Sequence, residues 1–236
     1  HSNTIQDNYY GISVGYLSRK GDNNIYHNNF INNTEHVFRG LPGRPPETLP
    51  TNTWDSGYPS GGNYWSNYTG VDLHSGSNQD ETGSDSIGDT ACAIDVNNTD
   101  RYPLMAPFSM FNAGTWNGTP CNIDVVSNST VSKFQIEITQ KMISFNVTGE
   151  TGLGFCRVTI PNVIVQDLWQ GNYSVLINGQ PTDFRNWTDD TNTYIYFTYQ
   201  HSEHEIIIIP EFTSPMILPL FMLATLIATI LLKKKR

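Results

Sequence analysis

An all-β chain is predicted: a short stack of repeated strand–turn units, a Gly/Asp-rich segment, a β-sandwich and one transmembrane helix. Three observations predict it. Asparagine and glycine abound while good helix formers are scarce until the final stretch, residues 3–10 (NTIQDNYY) are echoed at 23–30 (NNIYHNNF), and Phe212–Leu232 carries no charge. The chain has 236 residues, 38% of them hydrophobic, enough apolar surface to build a core, so wholesale disorder is excluded. The formal charge is −9, and Lys233, Lys234, Lys235 and Arg236 sit together at the end, leaving nine of the 13 basic residues against 22 acidic ones. A nucleic-acid binder needs the opposite sign. An acidic exterior suits divalent cations or a salty, extracellular setting.

Residues 1–40 hold the repeats. Aligning Asn3 with Asn23 matches Ile5 to Ile25, Asn8 to Asn28 and Tyr10 to Phe30, a period near twenty that makes one strand–turn unit per repeat. Ile5, Ile12, Val14, Ile25 and Ile31 are expected to point inward. Asparagines at the corners bond to backbone groups and tolerate left-handed dihedrals. Two units are too few to stand alone, and the chain reads as the C-terminal part of a longer exported protein. The Gly11–Gly15 match to G-x-S-x-G lacks the helix that a nucleophile elbow requires, and Asp7, Asp22 and Glu35 are the only carboxylates on these coils. No catalytic residue is assigned.

Residues 41–105 form a capping segment rich in glycine, aromatics and aspartate. Asp72, Asp80, Asp85 and Asp89 lie among turn-forming glycines; hard cations take six to eight oxygens from such loops, so a structural calcium held by Asp80, Asp85 and Asp89 is the metal expectation. Trp54, Tyr58, Tyr64, Trp65 and Tyr68 punctuate the same stretch. Trp54, Tyr64 and Trp65 are candidates for stacking on sugar rings, the alternative being that they plug the open end of the solenoid. His27, His36 and His74 are scattered, and His201 and His204 fall on opposite faces of a strand, a poor copper set.

Residues 106–121 are expected as a linker and 122–209 as a sandwich stalk. IDVV, KFQIEI, MISFNV, GFCRVTI, YSVLI, TYIYFTY and EIIIIP read as seven or eight short strands, with Asn178-Gly179 as a hairpin turn. Cys92 and Cys121 are free to form a disulfide, which leaves Cys156 on the inward face of its strand beside Val158 and Ile160. Eight Asn-x-Ser/Thr acceptors, at Asn32, Asn67, Asn97, Asn117, Asn128, Asn146, Asn172 and Asn186, point to a glycosylated surface protein.

Residues 210–236 close the chain. At about 1.5 Å per residue the uncharged run reaches roughly 30 Å, the thickness of a bilayer core, and the basic tail behind it sets the cytoplasmic end. Residues 1–209 are then outside.

Two resemblances follow from these residues. NNIYHNNFINNTEHV resembles the last coils of NosD-like right-handed parallel β-helix proteins, a group related to carbohydrate-binding proteins and sugar hydrolases. WDSGYPSGGNYWSNYTGVD, NQDETGSDSIGDT and YPLM are similar to the segment that follows such coils in archaeal surface members. Ala91-Cys92 departs from a usual Pro-Tyr there, and Asn67 stands where Asp is common. Pro210-Glu211-Phe212 before the apolar span resembles the PEF-CTERM sorting signal, which implies an archaeosortase as partner and a tail either retained as an anchor or exchanged for a lipid. The stalk, including GFCRVTIP, is similar to domains that precede the anchor in such proteins.

Together these readings imply a non-enzymatic, surface-anchored protein for adhesion, envelope structure or polysaccharide capture. The alternatives are an anchored polysaccharide hydrolase or lyase with its active site on upstream coils, and copper handling.

Overall fold

A computed structural model describes residues 1–14, 21–40 and 48–211. The expected membrane span, the basic tail and Phe212 of the sorting motif lie outside the described residues. Among those described, no helix is long and apolar enough to cross a membrane. The chain is mostly β, as expected.

The first strands stack in parallel. β1 (Thr4–Gln6), β3 (Asn29–Ile31) and β5 (Tyr64–Trp65) form one sheet, and β2 (Tyr10–Ser13) pairs with β4 (Glu35–Phe38) in a second. Ile5 lies opposite Phe30 and Tyr10 opposite Glu35, so the first unit returns over the second after 25 residues, and Asn28 over Asn63 after 35. This corrects the period near twenty. Asn3 stacks on Asn28 and not on Asn23, because the triplet Asn-x-apolar recurs on two faces of each rung and the shorter repeat joins different faces. With that register Phe30 takes the inward place expected for Ile31, stacking on Trp65 with ring centroids 4.3 Å apart. Ile5, Ile12, Val14 and Ile25 pack against the same cluster.

Two short antiparallel ribbons follow, β6 (His74–Ser75) with β7 (Glu81–Thr82) and β8 (Cys92–Asp95) with β9 (Asn98–Asp100). The chain then enters a sandwich of two five-stranded antiparallel sheets. One is ordered β10 (Phe108–Trp116), β11 (Thr119–Ser127), β14 (Leu153–Pro161), β18 (Asn192–Gln200), β17 (Arg185–Thr188). The other is β12 (Thr130–Glu137), β13 (Met142–Thr148), β19 (Glu203–Pro210), β15 (Tyr173–Ile177), β16 (Gln180–Thr182). The stretch 106–121, expected as a linker, contains β10 and the start of β11. Gly118 sits in the turn between them and Gly114 at a bulge within β10, and Phe108, Ala113 and Trp116 are buried.

A helix not foreseen from the sequence, α1 (Asn162–Trp169), buries Ile164, Val165, Leu168 and Trp169 against the sandwich and ends at Gln170 with φ 53°. Asn178-Gly179 makes the expected two-residue hairpin, closed by the Ile177–Gln180 pair with both turn residues at positive φ. Cys156, Val158 and Ile160 face the inter-sheet core, as their alternation predicts. All three cysteines are free thiols, so the open Cys92–Cys121 pairing is not made.

The sandwich is not a separate stalk. The outer face of the β14 sheet is covered by the capping segment: Arg157, Tyr194 and Tyr196 are buried there, and Val126, Phe108 and Phe155 share a core with Ile87, Leu104 and Tyr58. Three apolar clusters result: one inside the parallel rungs, one between the two sheets of the sandwich, and one between the cap and the sandwich.

Candidate functional site

Asparagine ladders organise the rungs. Oδ1 of Asn28 accepts the backbone N–H (3.2 Å) and Nδ2 (2.9 Å) of Asn3, and Oδ1 of Asn63 accepts the same two donors of Asn28 at 3.1 Å each. A second ladder runs from Asn23 to Asn52, whose backbone N–H reaches Oδ1 of Asn98, and a third joins Asn8 to Asn33. Each side chain thereby satisfies backbone groups at a corner where no strand partner exists. The first ladder ends on Asp100, whose Oδ2 accepts the Asn63 backbone N–H and the Trp65 indole N–H, both at 2.8 Å. A carboxylate offers acceptors only, so it stops a ladder that asparagine would continue. Burial outweighs these hydrogen bonds and pushes the Asp100 carboxyl up to about 7. Gly62 leaves room for that carboxylate, which a Cβ would strike.

At the other end the ladders are open. Among the described residues nothing donates to Oδ1 of Asn3, Asn8 or Asn23, and Ile5, Ile12, Val14 and Ile25 line an open cleft of about 650 Å³.

The cap–sandwich junction is the second distinctive region. Nη1 of Arg157 donates to the Pro59 carbonyl at 2.9 Å and Nη2 to the Ser60 carbonyl at 3.2 Å. The guanidinium is fully buried and faces the carboxylates of Asp85, Asp72 and Asp124. Burial raises all three, Asp72 to about 7 and Asp124 to about 6. Arg185 bonds to the Ser84 carbonyl and Ser75 Oγ. His27 stacks on Phe108 at 4.4 Å and its Nε2 lies 3.1 Å from the Ser60 carbonyl; burial holds it down to about 4.

The expected calcium ligands do not converge. Asp85 is buried and accepts from the Ile87 N–H and the Gln79 amide, Asp89 accepts from the backbone N–H groups of Leu73 and His74, and Asp80 is exposed. Asp72, outside the expected set, caps the Asp85 and Ser86 N–H groups. Among the described residues no three His, Cys, Asp or Glu side chains group as a metal ion requires. The aromatic candidates are not sugar platforms: Trp54 is 1% and Trp65 3% exposed, with indole N–H groups on Asn98 and Asp100, and Tyr64 packs beside Leu104. Trp54 and Trp65 belong to the apolar cluster inside the parallel rungs.

Of the eight glycan acceptors, Asn146 is half-buried in β13 and the rest are exposed. Pro210 pairs with Tyr173, and the Glu211 N–H bonds to the Asn172 carbonyl. The corner asparagines bond to backbone groups as expected, but their pairing register and the buried Arg157 did not follow from the sequence, although Asn-x-apolar triplets recur at 3, 23, 28, 52 and 63.

No curated protein and no solved structure matches this chain. Residues 1–70, which contain the parallel rungs, match the family described as periplasmic copper-binding protein (NosD), and over that span of 70 of the 236 residues the chain is similar to that family.

Proposed function

We propose that this chain belongs to a surface-anchored protein: rungs of a right-handed parallel β-helix fused to a sandwich that carries them above a C-terminal anchor. The one-way ladder carries this reading. It runs from Asn3 through Asn28 and Asn63 and ends on Asp100, binding stacked parallel rungs into one unit. The junction built on Arg157 and Asn29 supports a structural role, because force or orientation passes from rungs to sandwich through a buried core and not through a flexible linker. The periplasmic family similar to residues 1–70 supports a location outside the cytoplasm.

Copper, named in that family's description, does not fit the residues here. His27, His36, His74, His201 and His204 each hydrogen-bond within the fold to Ser60, Asn33, Asp89, Ser129 and Asn178 respectively.

Protease added to intact cells of the native host tests the proposal. Residues 1–211 should be shaved from the surface while the KKKR end stays with the membrane fraction. A body protected until the cells are lysed would refute it.

A further inference from the structure

Eight acceptor motifs are not eight equivalent sites. An N-glycosyltransferase has to draw the three residues Asn-x-Ser/Thr out of the fold and engage the carboxamide nitrogen and the hydroxyl together. The acceptor Nδ2 must therefore be free, and the residue between must not be fixed in a core or a ladder.

Most of the motifs fail that test in the folded chain. Asn146 sits in a middle strand, paired with Ser132 on one side and Glu205 on the other. Nδ2 of Asn128 donates to the Leu153 carbonyl while its Oδ1 accepts the Phe155 N–H. Nδ2 of Asn186 donates to the Tyr173 hydroxyl. The middle residues of three others are held: Asn33 and Asn98 belong to ladders, and Tyr173, after Asn172, is buried. After Asn67, Tyr68 is tied through its hydroxyl to the Thr90 carbonyl.

Asn117 is different. It stands at the tip of the β10–β11 hairpin, inside the closing pair Trp116–Thr119, at φ 49° with Gly118 at φ 79°. Asn117, Gly118 and Thr119 are all exposed, and among the described residues the Asn117 carboxamide makes no hydrogen bond. Glycine in the middle gives the tripeptide the freedom to bend into a transferase.

We infer that Asn117 is the preferred N-glycan acceptor of this protein. A lipid-linked oligosaccharide is the donor: the bond from Nδ2 to the anomeric carbon forms, the bond from that carbon to the carrier's phosphate oxygen breaks, and the amide proton passes to a base of the transferase. The glycan then stands at the end of β10, an edge strand whose Met110 is 45% exposed, where a bulky polar group blocks edge-to-edge pairing.

This inference rests on the surface location proposed above. Full-length protein from the native host is digested and its glycopeptides are sequenced by mass spectrometry, beside Thr119→Ala, which keeps Asn117 but removes the motif, and Asn128→Gln. The expected result is highest occupancy at Asn117, loss of one glycan mass in Thr119→Ala and no change in Asn128→Gln. Glycans at other motifs with Asn117 bare would overturn the inference and leave the surface location intact. Absence of any glycan on protein that external protease can shave would overturn it equally. Protein that the protease cannot reach would instead remove the location on which the inference stands.

Discussion

Asn29 and Phe108 exchange two hydrogen bonds: the Phe108 N–H donates to Oδ1 of Asn29 at 2.7 Å, and Nδ2 of Asn29 donates to the Phe108 carbonyl at 2.8 Å. They are 79 residues apart. A side-chain amide here replaces a neighbouring strand, satisfying both backbone groups of the first residue of β10 and tying the parallel rungs to the sandwich. Asn29→Leu leaves that N–H and carbonyl buried without partners, each worth about 1–3 kcal/mol. Urea unfolding should show a loss of about 3 kcal/mol; a variant within experimental error of the parent would mean that the link is idle.

Arg157 bears the cap. Arg157→Leu leaves the Pro59 carbonyl unbonded, leaves the Ser60 carbonyl only its contact with His27, and removes the positive charge that acts on Asp85. A buried carbonyl that loses its donor costs about 1–3 kcal/mol. Limited proteolysis should cut residues 58–105 before the sandwich opens. Equal resistance of cap and sandwich in the variant would argue against this junction.

Stability should peak on the acid side of neutrality. Asp100 and Asp72 are raised from 3.8 to about 7 and Asp124 to about 6, each by burial first. In the window between 3.8 and those values the folded chain binds protons that the unfolded chain has released, so stability rises as pH falls through it. His27, lowered from 6.5 to about 4, acts oppositely: the unfolded chain takes up the proton first, and stability is lost as pH falls from 6.5 to 4. Three carboxyls outweigh one imidazole where the windows overlap, so the melting temperature should rise as pH falls from about 7 towards 4, and Asp100→Asn should flatten that rise. A monotonic rise towards pH 9 would contradict the assignment.

Thiol chemistry separates the cysteines. Burial pushes Cys92 and Cys156 up to about 11, so both resist a thiol-specific reagent near pH 8, where the thiolate is the reactive form. Cys121, part-exposed at the start of β11, should react first, and denaturation should release three thiols. Finding a single thiol after denaturation would restore the Cys92–Cys121 bridge.

Chelation should leave the fold unchanged. Asp80 points to solvent while Asp85 and Asp89 spend their oxygens on backbone and side-chain N–H groups, so the melting temperature with and without chelator should coincide. A clear drop on chelation would return calcium to this loop.

The sequence by itself determined the all-β class, the Asn178-Gly179 hairpin and the inward alternation of Cys156, Val158 and Ile160. Each is written in neighbouring residues, by the period of two along a strand or by the φ > 0 that Asn-Gly accepts. Tertiary structure alone decided the 25-residue rung, the turning of Trp54 and Trp65 into the core, and the burial of Arg157 under the cap. Those depend on partners far along the chain: Asn3 finds Asn28 only once the intervening loop has its length, and a lone arginine in GFCRVTI looks like a solvent-facing residue until another segment covers it. Local patterns record which face of a strand is apolar, whereas what lies against that face is settled by long-range packing.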